Sequence, residues 1–259
     1  MLVWGIQDHR DHLSNYNMPE STGSKYAHEF YKDRNAATRQ AAKQILALTL
    51  ELLPPIKSAV DVGCGVGTWL AEINARGIDL IQGYDGSWVS KDLLEIPSEN
   101  FTECNLESPI VSKRKFDLAI SLEVAEHLPE ECADTFVKSL VGLSDFVLFS
   151  AAIPHQGGVN HMNEQWQSYW AEKFGEHGYV TTDPIRPKVW SNEKISIPYR
   201  QNILLYVKDS RLNELDLDSC SIDSISKAHP ELHMILNSKS VARSLQDLRM
   251  TLMKKLFGQ

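Results

Sequence analysis

Two glutamates and a histidine with catalytic potential lie close together near the middle of the chain, at Glu123, Glu126 and His127. On a helical turn, positions i, i+3 and i+4 project to one side, so the three side chains could act together. His127 could be a general base, because an imidazole has an unperturbed pKa of about 6.5. Alternatively, the carboxylates and the imidazole bind Mg²⁺ or another divalent ion. Such an ion polarises a substrate hydroxyl and lowers the pKa of that hydroxyl. A structural role is the third interpretation.

A second polar segment extends from residue 151 to residue 170 and combines glycines, His, Asn, Gln and aromatic residues. Such a composition is typical of an acceptor site at the carboxyl edge of an open α/β sheet. His155 and His161 are the candidates for a further metal ligand. We assign His161 to both the metal ligands and the catalytic group, beside Glu126 and His127.

A glycine-rich loop, Gly63-Cys-Gly65-Val-Gly67, follows a short apolar run that contains Asp61. Glycine is favoured there because the loop must turn tightly and let its backbone approach a ligand, which a Cβ would obstruct. The next apolar run ends at Asp85, which lies 18 residues after Gly67. A carboxylate in that place can accept hydrogen bonds from both hydroxyls of a ribose.

The spacing of these glycines distinguishes two classes of nucleotide site. A dinucleotide site usually has the pattern GxGxxG, which places a pyrophosphate on a helix N-terminus. This loop has the pattern GxGxG and is preceded by Asp61. The carboxylate would repel a pyrophosphate, but it can hold an ammonium group directly or through water. A nicotinamide-dependent oxidoreductase is therefore disfavoured.

Short apolar runs alternate with amphipathic stretches from residue 58 onward. This alternation predicts βαβ units and a parallel sheet that is covered on both faces. We predict seven strands, at residues 58–62, 79–84, about 99–104, 116–122, 145–152, 178–183 and 201–207.

Composition and charge narrow the possible partners. The chain has 259 residues, of which 42% are hydrophobic, enough for one α/β domain with additions. A net charge of −8 argues against a nucleic-acid partner, because phosphate binding needs a surplus of Lys and Arg. The cysteines form no CxxC pair, and no apolar run predicts a signal peptide or a transmembrane segment. We therefore predict a cytoplasmic protein.

The motifs along residues 58–150 resemble, in order, those of class I S-adenosylmethionine-dependent methyltransferases. Residues 59–69 and 83–86 are similar to the first two motifs of that family. Residues 101–106 resemble the third strand and the turn near the adenine, and residues 115–128 resemble the fourth strand and a loop that borders cofactor and acceptor. The resemblance implies a set of cofactor-binding residues: Asp61, Gly63, Gly65, Gly67, Trp69, Asp85, Gly86, Asn105, Leu106, Ser121 and Leu122.

The resemblance extends to the reaction. Glu123, Glu126 and His127 form an ExxEH pattern. This pattern is similar to that of small-RNA 2′-O-methyltransferases and ubiquinone-biosynthesis O-methyltransferases, where it is associated with a divalent metal. EH pairs at this place are also frequent in methyltransferases that use no metal. Residues 156–170 and 199–202 resemble a subgroup of bacterial small-molecule methyltransferases of the methyltransferase-23 type.

These resemblances imply S-adenosylmethionine as cofactor, S-adenosylhomocysteine as product, and methyl transfer to a hydroxyl of a small molecule or glycan. Nitrogen and carboxylate acceptors remain alternatives. A non-catalytic S-adenosylmethionine-binding subunit that serves a partner is another alternative.

We predict an α/β fold with a Rossmann-like, seven-stranded mixed sheet, as in class I methyltransferases. Residues 1–55 form an N-terminal helical cap, with a helix from residue 36 to residue 53, and residues 56–207 form the core. Residues 208–259 form an acidic, serine-rich linker and a C-terminal amphipathic helix with an apolar stripe at residues 241–256. This stripe covers the body of the same protein or a second copy in a homodimer; a membrane-surface helix is the alternative. Arg200 either clamps a substrate carboxylate or phosphate or pairs with a surface acid.

Overall fold

The computed structural model describes residues 24–236, with side chains from residue 36 onward. Seven strands form its centre: β1 (Ser58–Val62), β2 (Leu80–Asp85), β3 (Phe101–Glu103), β4 (Leu118–Leu122), β5 (Phe146–Ser150), β6 (Tyr179–Thr182) and β7 (Leu204–Lys208). They form one sheet in the order β3-β2-β1-β4-β5-β7-β6. The predicted fold class, a seven-stranded mixed sheet, is confirmed.

The strands β1 to β5 pair in parallel, whereas β7 is antiparallel to both of its neighbours. Strands β1, β4 and β5 are buried along their whole length, which explains their continuous apolar sequences. The strand order reverses between β1 and β4. Open α/β sheets bind ligands at such a reversal, beyond the carboxyl ends of the strands.

Helices cover both faces of the sheet. They include α1 (Ser24–Leu52), α2 (Thr68–Asn74), α3 (Ala133–Leu143), α4 (Gln167–Glu176), α5 (Arg186–Val189), α6 (Ile197–Asn202) and α7 (Ile222–Ile225). On one face, Ile45 of α1 and Leu70 of α2 belong to a buried apolar cluster with side chains of the strands. On the other face, Phe136 of α3 and Phe174 of α4 belong to a second cluster.

Two element boundaries differ from the prediction by three residues or more. Helix α1 begins at Ser24, well before the predicted residue 36, and ends just before Pro54-Pro55, because proline cannot continue a helix. The last strand begins at Leu204, three residues after the predicted start, because residues 197–202 form α6.

The segment that follows β7 is held more closely to the core than its acidic, serine-rich composition predicts. Ile225 and His229 are buried. The backbone amide of Cys220 donates to the carbonyl of Thr181 at 2.8 Å. The first part of the predicted linker therefore packs against the sheet.

Several predictions lie outside the described residues or are not tested by them. The apolar stripe expected in residues 241–256 lies outside, so the homodimer stays a prediction, as do the domain boundaries. Within residues 24–236, no helix has both the length and the apolar composition to cross a membrane.

Candidate functional site

The glycine-rich loop joins β1 to α2 at the point where the strand order reverses. Gly63 and Gly67 have φ angles of 81° and 86°, a region that residues with a side chain rarely adopt. A Cβ on Gly63 would overlap Cγ2 of Val124, and a Cβ on Gly67 would lie 2.9 Å from Cγ1 of Ile96. Glycine is therefore required at both positions by conformation and by space.

Asp85 ends β2 and faces this loop. Its Oδ2 accepts a hydrogen bond from the Gly65 amide at 2.6 Å, and its Oδ1 accepts one from the Gly86 amide at 2.6 Å. Burial raises the pKa of the Asp85 carboxyl, although these two amides oppose the shift. The carboxylate therefore ties the glycine loop to the end of β2.

Trp88 is a further candidate, which none of the sequence motifs indicated. Its ring lies over Gly86, where a Cβ would overlap it, and the side chain is 74% exposed. Its indole also interacts with the Asp85 carboxylate. The available signal was a tryptophan three residues after Asp85, the acid at the end of β2, since a large exposed aromatic side chain there could stack on a base.

Asp61 lies in β1 directly before the loop and is buried. Burial raises the pKa of its carboxyl well above the ordinary value, and the charge of Asp85 raises it further. A cation bound beside Asp61 would favour the ionised form and offset both effects. This part of the site is therefore suited to a positively charged ligand.

Ser121 and Leu122 end β4 beside the loop. The Ser121 side chain is fully buried, and its hydroxyl donates to the carbonyl of Val62 at 2.9 Å. Leu122 is also buried. The Ser121 hydroxyl therefore joins β4 to β1, so any contact of Ser121 with a cofactor would fall to its backbone.

The three remaining cofactor candidates differ in exposure. Trp69 is buried and packs edge-on against Tyr199, with ring centroids 5.4 Å apart. Leu106 is buried in the core. The Asn105 side chain is exposed, and its Oδ1 accepts a hydrogen bond from the Glu107 amide at 3.0 Å. Of these three, Asn105 alone has an exposed side chain.

Glu126, His127 and His161 come together at the same edge of the sheet. One ligand atom from each residue lies within 4.8 Å of the others. The imidazoles of His127 and His161 meet edge to face, with centroids 4.8 Å apart. The amides of Met162 and Asn163 both donate to the Glu126 carbonyl, at 2.8 and 3.0 Å. These bonds join the loop after β4 to the loop after β5.

The carboxyl group of Glu126 is unusual. Its side chain is 1% exposed, and neither oxygen has a hydrogen-bond partner in the described part of the chain. Burial raises its pKa well above the ordinary value, and the nearby Glu123 raises it further. The backbone amides of Glu126 and Ala152 oppose the shift, although neither lies in hydrogen-bonding geometry with a carboxylate oxygen. A buried polar group without a partner is costly, so this one suggests that a ligand supplies the partner.

Glu123 does not join this cluster, although the sequence placed it among the metal ligands. Its Oε1 accepts a hydrogen bond from Nδ2 of Asn202 at 3.0 Å, and its Oε2 accepts one from Nε2 of Gln156 at 2.9 Å. Gln201 donates to Oε1 of Gln156 at 3.1 Å and accepts from the His229 amide at 2.6 Å. The Glu123 oxygens are thus engaged by a side-chain amide network.

Local backbone conformation explains this difference. Glu123 has a φ of 55°, and only Ala125–His127 form a short 3₁₀ turn. The helical face that was expected to carry both glutamates and the histidine therefore does not form. The i, i+3, i+4 argument holds only for a continuous helix.

Strained backbone is concentrated around this edge. Among the non-glycine residues described, a positive φ occurs at Glu123, His155 and Asn160, with values of 55°, 69° and 58°. Such conformations cost about 1–3 kcal/mol each and persist where the surrounding structure holds them, often at functional sites. All three lie in the loops after β4 and β5 that carry the cluster.

Two other candidates have structural partners. The Arg200 guanidinium is buried and donates to both carboxylate oxygens of Glu231, at 3.2 and 2.9 Å. The structure therefore gives Arg200 the ion-pair role rather than that of a substrate clamp. His155 is exposed and lies outside the three-residue cluster.

A cavity of about 220 Å³ lies at the opposite edge of the sheet. Lys115, Asp145 and Arg211 line it, and both basic groups pair with Asp145, at 2.8 and 3.3 Å. Its position at the amino ends of β4 and β5 separates it from the residues described above.

Comparison with known protein families identifies the family of this chain. Residues 33–184, more than half of the chain, match the model of a methyltransferase domain of the methyltransferase-23 type. The chain belongs to the class I S-adenosylmethionine-dependent methyltransferases. No curated protein matches this methyltransferase.

Solved structures share the methyltransferase fold. Magnesium protoporphyrin IX methyltransferase from Synechocystis PCC 6803, with bound S-adenosylhomocysteine, is 19% identical, with a TM-score of 0.51 over 74% of this chain and 90% of that chain. DesVI from Streptomyces venezuelae is 14% identical, with a TM-score of 0.51 over 73% of this chain and 99% of that chain. At these identities the similarity shows the fold alone.

Proposed function

We propose that this methyltransferase transfers the methyl group of S-adenosylmethionine to a hydroxyl of a small molecule or glycan and releases S-adenosylhomocysteine. A sulfonium donor already carries an activated methyl group, so the enzyme mainly aligns the acceptor with it. A hydroxyl acceptor must also lose its proton. The cluster of Glu126, His127 and His161 carries the proposal, because it brings groups that can activate a hydroxyl to the edge of the sheet where the glycine loop lies.

The residues around the glycine loop suit the donor. Asp61 would hold the ammonium group of the methionine half, and Asp85 would accept the ribose hydroxyls. The Asp85 oxygens accept one backbone amide each, and with the Trp88 indole these donors leave a lone pair for a ribose hydroxyl. We assign the adenine to the surface beside Trp88, whose ring is exposed.

The three-residue cluster also fits a divalent cation. One carboxylate and two imidazoles are common ligands of such ions, and an ion would satisfy the unpartnered oxygens of Glu126. Two nitrogen ligands favour Mn²⁺, Fe²⁺ or Zn²⁺ over Mg²⁺, which prefers oxygen. A bound ion would supply Lewis acidity that lowers the pKa of the acceptor hydroxyl. Without an ion, His127 or His161 would accept the proton.

Native mass spectrometry and an acceptor screen test the proposal. The purified chain should retain S-adenosylmethionine or S-adenosylhomocysteine; a nicotinamide cofactor would contradict the assignment. S-adenosylhomocysteine release should occur with hydroxyl compounds. Release of S-adenosylhomocysteine with amines alone would contradict O-methylation and favour a nitrogen acceptor. No release with any acceptor would favour the non-catalytic alternative.

Elemental analysis and two variants test the role of the cluster. Glu126→Gln and His127→Ala should each lower methyl transfer and, if an ion takes part, the bound metal as well. Glu131→Gln is the matched control, because Glu131 is an exposed glutamate of the same loop. Activity that is unchanged in EDTA would remove the ion from the mechanism and leave the imidazole base.

A further inference from the structure

Glu164 holds the loop after β5 at three points. Its Oε1 accepts a hydrogen bond from the Gly157 amide at 2.7 Å and lies 2.8 Å from Nδ1 of His161. Its Oε2 accepts a hydrogen bond from the His155 amide at 2.8 Å. The side chains of His161 and Glu164 are 11% and 19% exposed, so these contacts are largely shielded from water.

The chemistry of these groups sets the direction of each hydrogen bond. An ionised carboxylate only accepts, and backbone amides only donate. The proton between Glu164 and His161 must therefore lie on Nδ1 of the imidazole. A neutral histidine has only one ring proton, so Nε2 of His161 keeps its lone pair.

We propose that Glu164 is a positioning residue that fixes His161 in the Nδ1–H tautomer and directs its Nε2 lone pair to the cluster with Glu126 and His127. The inference rests on the proposed function of that cluster. A metal ion would be ligated at this lone pair, and in the metal-free mechanism His161 would accept the proton there whenever it, rather than His127, is the base. A carboxylate behind a metal-binding or catalytic histidine usually sets its tautomer and orientation in this way.

Gly158 leaves room for the imidazole of His161. A Cβ on Gly158 would overlap Nε2 of the imidazole, so the ring occupies space that any other residue at position 158 would fill. Glu164 lies outside the three-residue cluster and acts on it through His161. The role of Glu164 is therefore one of positioning and not of catalysis.

Nitrogen-15 NMR of the full chain, labelled at histidine, measures the tautomer directly. At a pH where imidazoles are neutral, we expect His161 in the wild-type protein to carry its proton on Nδ1, with the signals assigned by His161→Ala. Glu164→Gln should shift the population towards Nε2–H, because a glutamine has one acceptor oxygen for three donors. Glu172→Gln, an exposed glutamate of α4, should leave the spectrum unchanged.

Two results would overturn the inference: a wild-type His161 protonated on Nε2, or a Glu164→Gln spectrum identical to that of the wild type. If Glu164→Gln does not fold, the wild-type spectrum alone decides. Glu164→Asp keeps the carboxylate and should restore the Nδ1–H population at least in part.

Ligand binding separates this inference from the proposed function. Calorimetry should give the same S-adenosylmethionine affinity for Glu164→Gln and wild type, whereas methyl transfer or Mn²⁺ affinity should fall about 10- to 100-fold. A normal S-adenosylmethionine affinity with an unmoved tautomer would reject the inference alone. A tautomer that shifts in a protein without S-adenosylmethionine binding would reject the proposed function alone.

Discussion

The carboxylate of Glu123 accepts a hydrogen bond from the side chain of Asn202 at 3.0 Å, which joins the end of β4 to the end of α6. Because the carboxylate only accepts, the nitrogen atoms of Asn202 and Gln156 must face it. Their oxygens then face Gln201, which donates to both, at 2.9 and 3.1 Å. One ionised group thus orients a buried network that extends to the backbone of His229.

Glu123→Gln should disrupt this network. The new NH₂ group would face one of two amide donors, so a hydrogen bond is lost and a buried donor is left without a partner. We expect the free energy of unfolding to fall by about 1–3 kcal/mol, measured by urea denaturation. The exposed Glu131→Gln should stay within about 0.5 kcal/mol of the wild type. Equal stability of the two variants would contradict this orientation of the Asn202 and Gln156 amides.

The sequence predicted the parallel strands because each is a short apolar run between turn residues, and burial on both faces makes such runs continuous. It predicted the glycine loop because positive φ and close packing restrict those positions to glycine. The misplacement of Glu123 arises from its left-handed backbone, which no local pattern reveals. Its partners Gln156 and Asn202 are 33 and 79 residues away, so tertiary packing alone brings them together.

Gly63→Ala tests the fit of the glycine loop. An alanine at φ 81° is strained, and its Cβ would overlap Val124, so both stability and cofactor binding should suffer. We expect the free energy of unfolding to fall by about 1–3 kcal/mol. Calorimetry should show that the affinity for S-adenosylmethionine falls at least about tenfold. Gly142→Ala is the control, because Gly142 is helical and, apart from its chain neighbours and the backbone of its own helix, no described atom would lie within 4 Å of the added Cβ. That variant should be neutral or slightly stabilised.

Asp61→Asn should raise the stability of the ligand-free protein and weaken its binding of the cofactor. The pKa of Asp61 is raised in the folded protein, mainly by burial, so the folded state binds its proton more tightly than the unfolded state. The stability that depends on protonated Asp61 is fully present below the unfolded-state pKa of about 3.9. It is lost as the pH rises through the higher pKa of Asp61 in the folded protein. At pH 8 without ligand, the variant should therefore be more stable than the wild type.

Thermal unfolding at several pH values measures this effect, and each kcal/mol corresponds to roughly 2–4 °C. The advantage of Asp61→Asn should disappear in acid, where both side chains are neutral. S-adenosylmethionine should bind the variant about 10- to 100-fold more weakly, since a charge-assisted hydrogen bond contributes roughly 1.5–3 kcal/mol. The exposed Asp92→Asn should show neither change. Wild-type affinity in Asp61→Asn would contradict the ammonium assignment.

Arg200→Met and Glu231→Gln test whether Arg200 serves stability or the acceptor. The Arg200 side chain is 4% exposed, so Glu231→Gln leaves its charge buried without an ionic partner. Glu231 is 39% exposed, so its carboxylate is partly solvated when Arg200 is replaced, and the loss of the pair costs it less free energy. We expect each variant to lose about 1–3 kcal/mol of stability, and the double variant to lose less than the sum, because both remove the same contact. Hydrogen exchange should increase in residues 226–236, which this pair holds to α6. A clamp on the acceptor would give the opposite pattern: Arg200→Met would raise the KM for the acceptor at unchanged stability, and Glu231→Gln would affect neither.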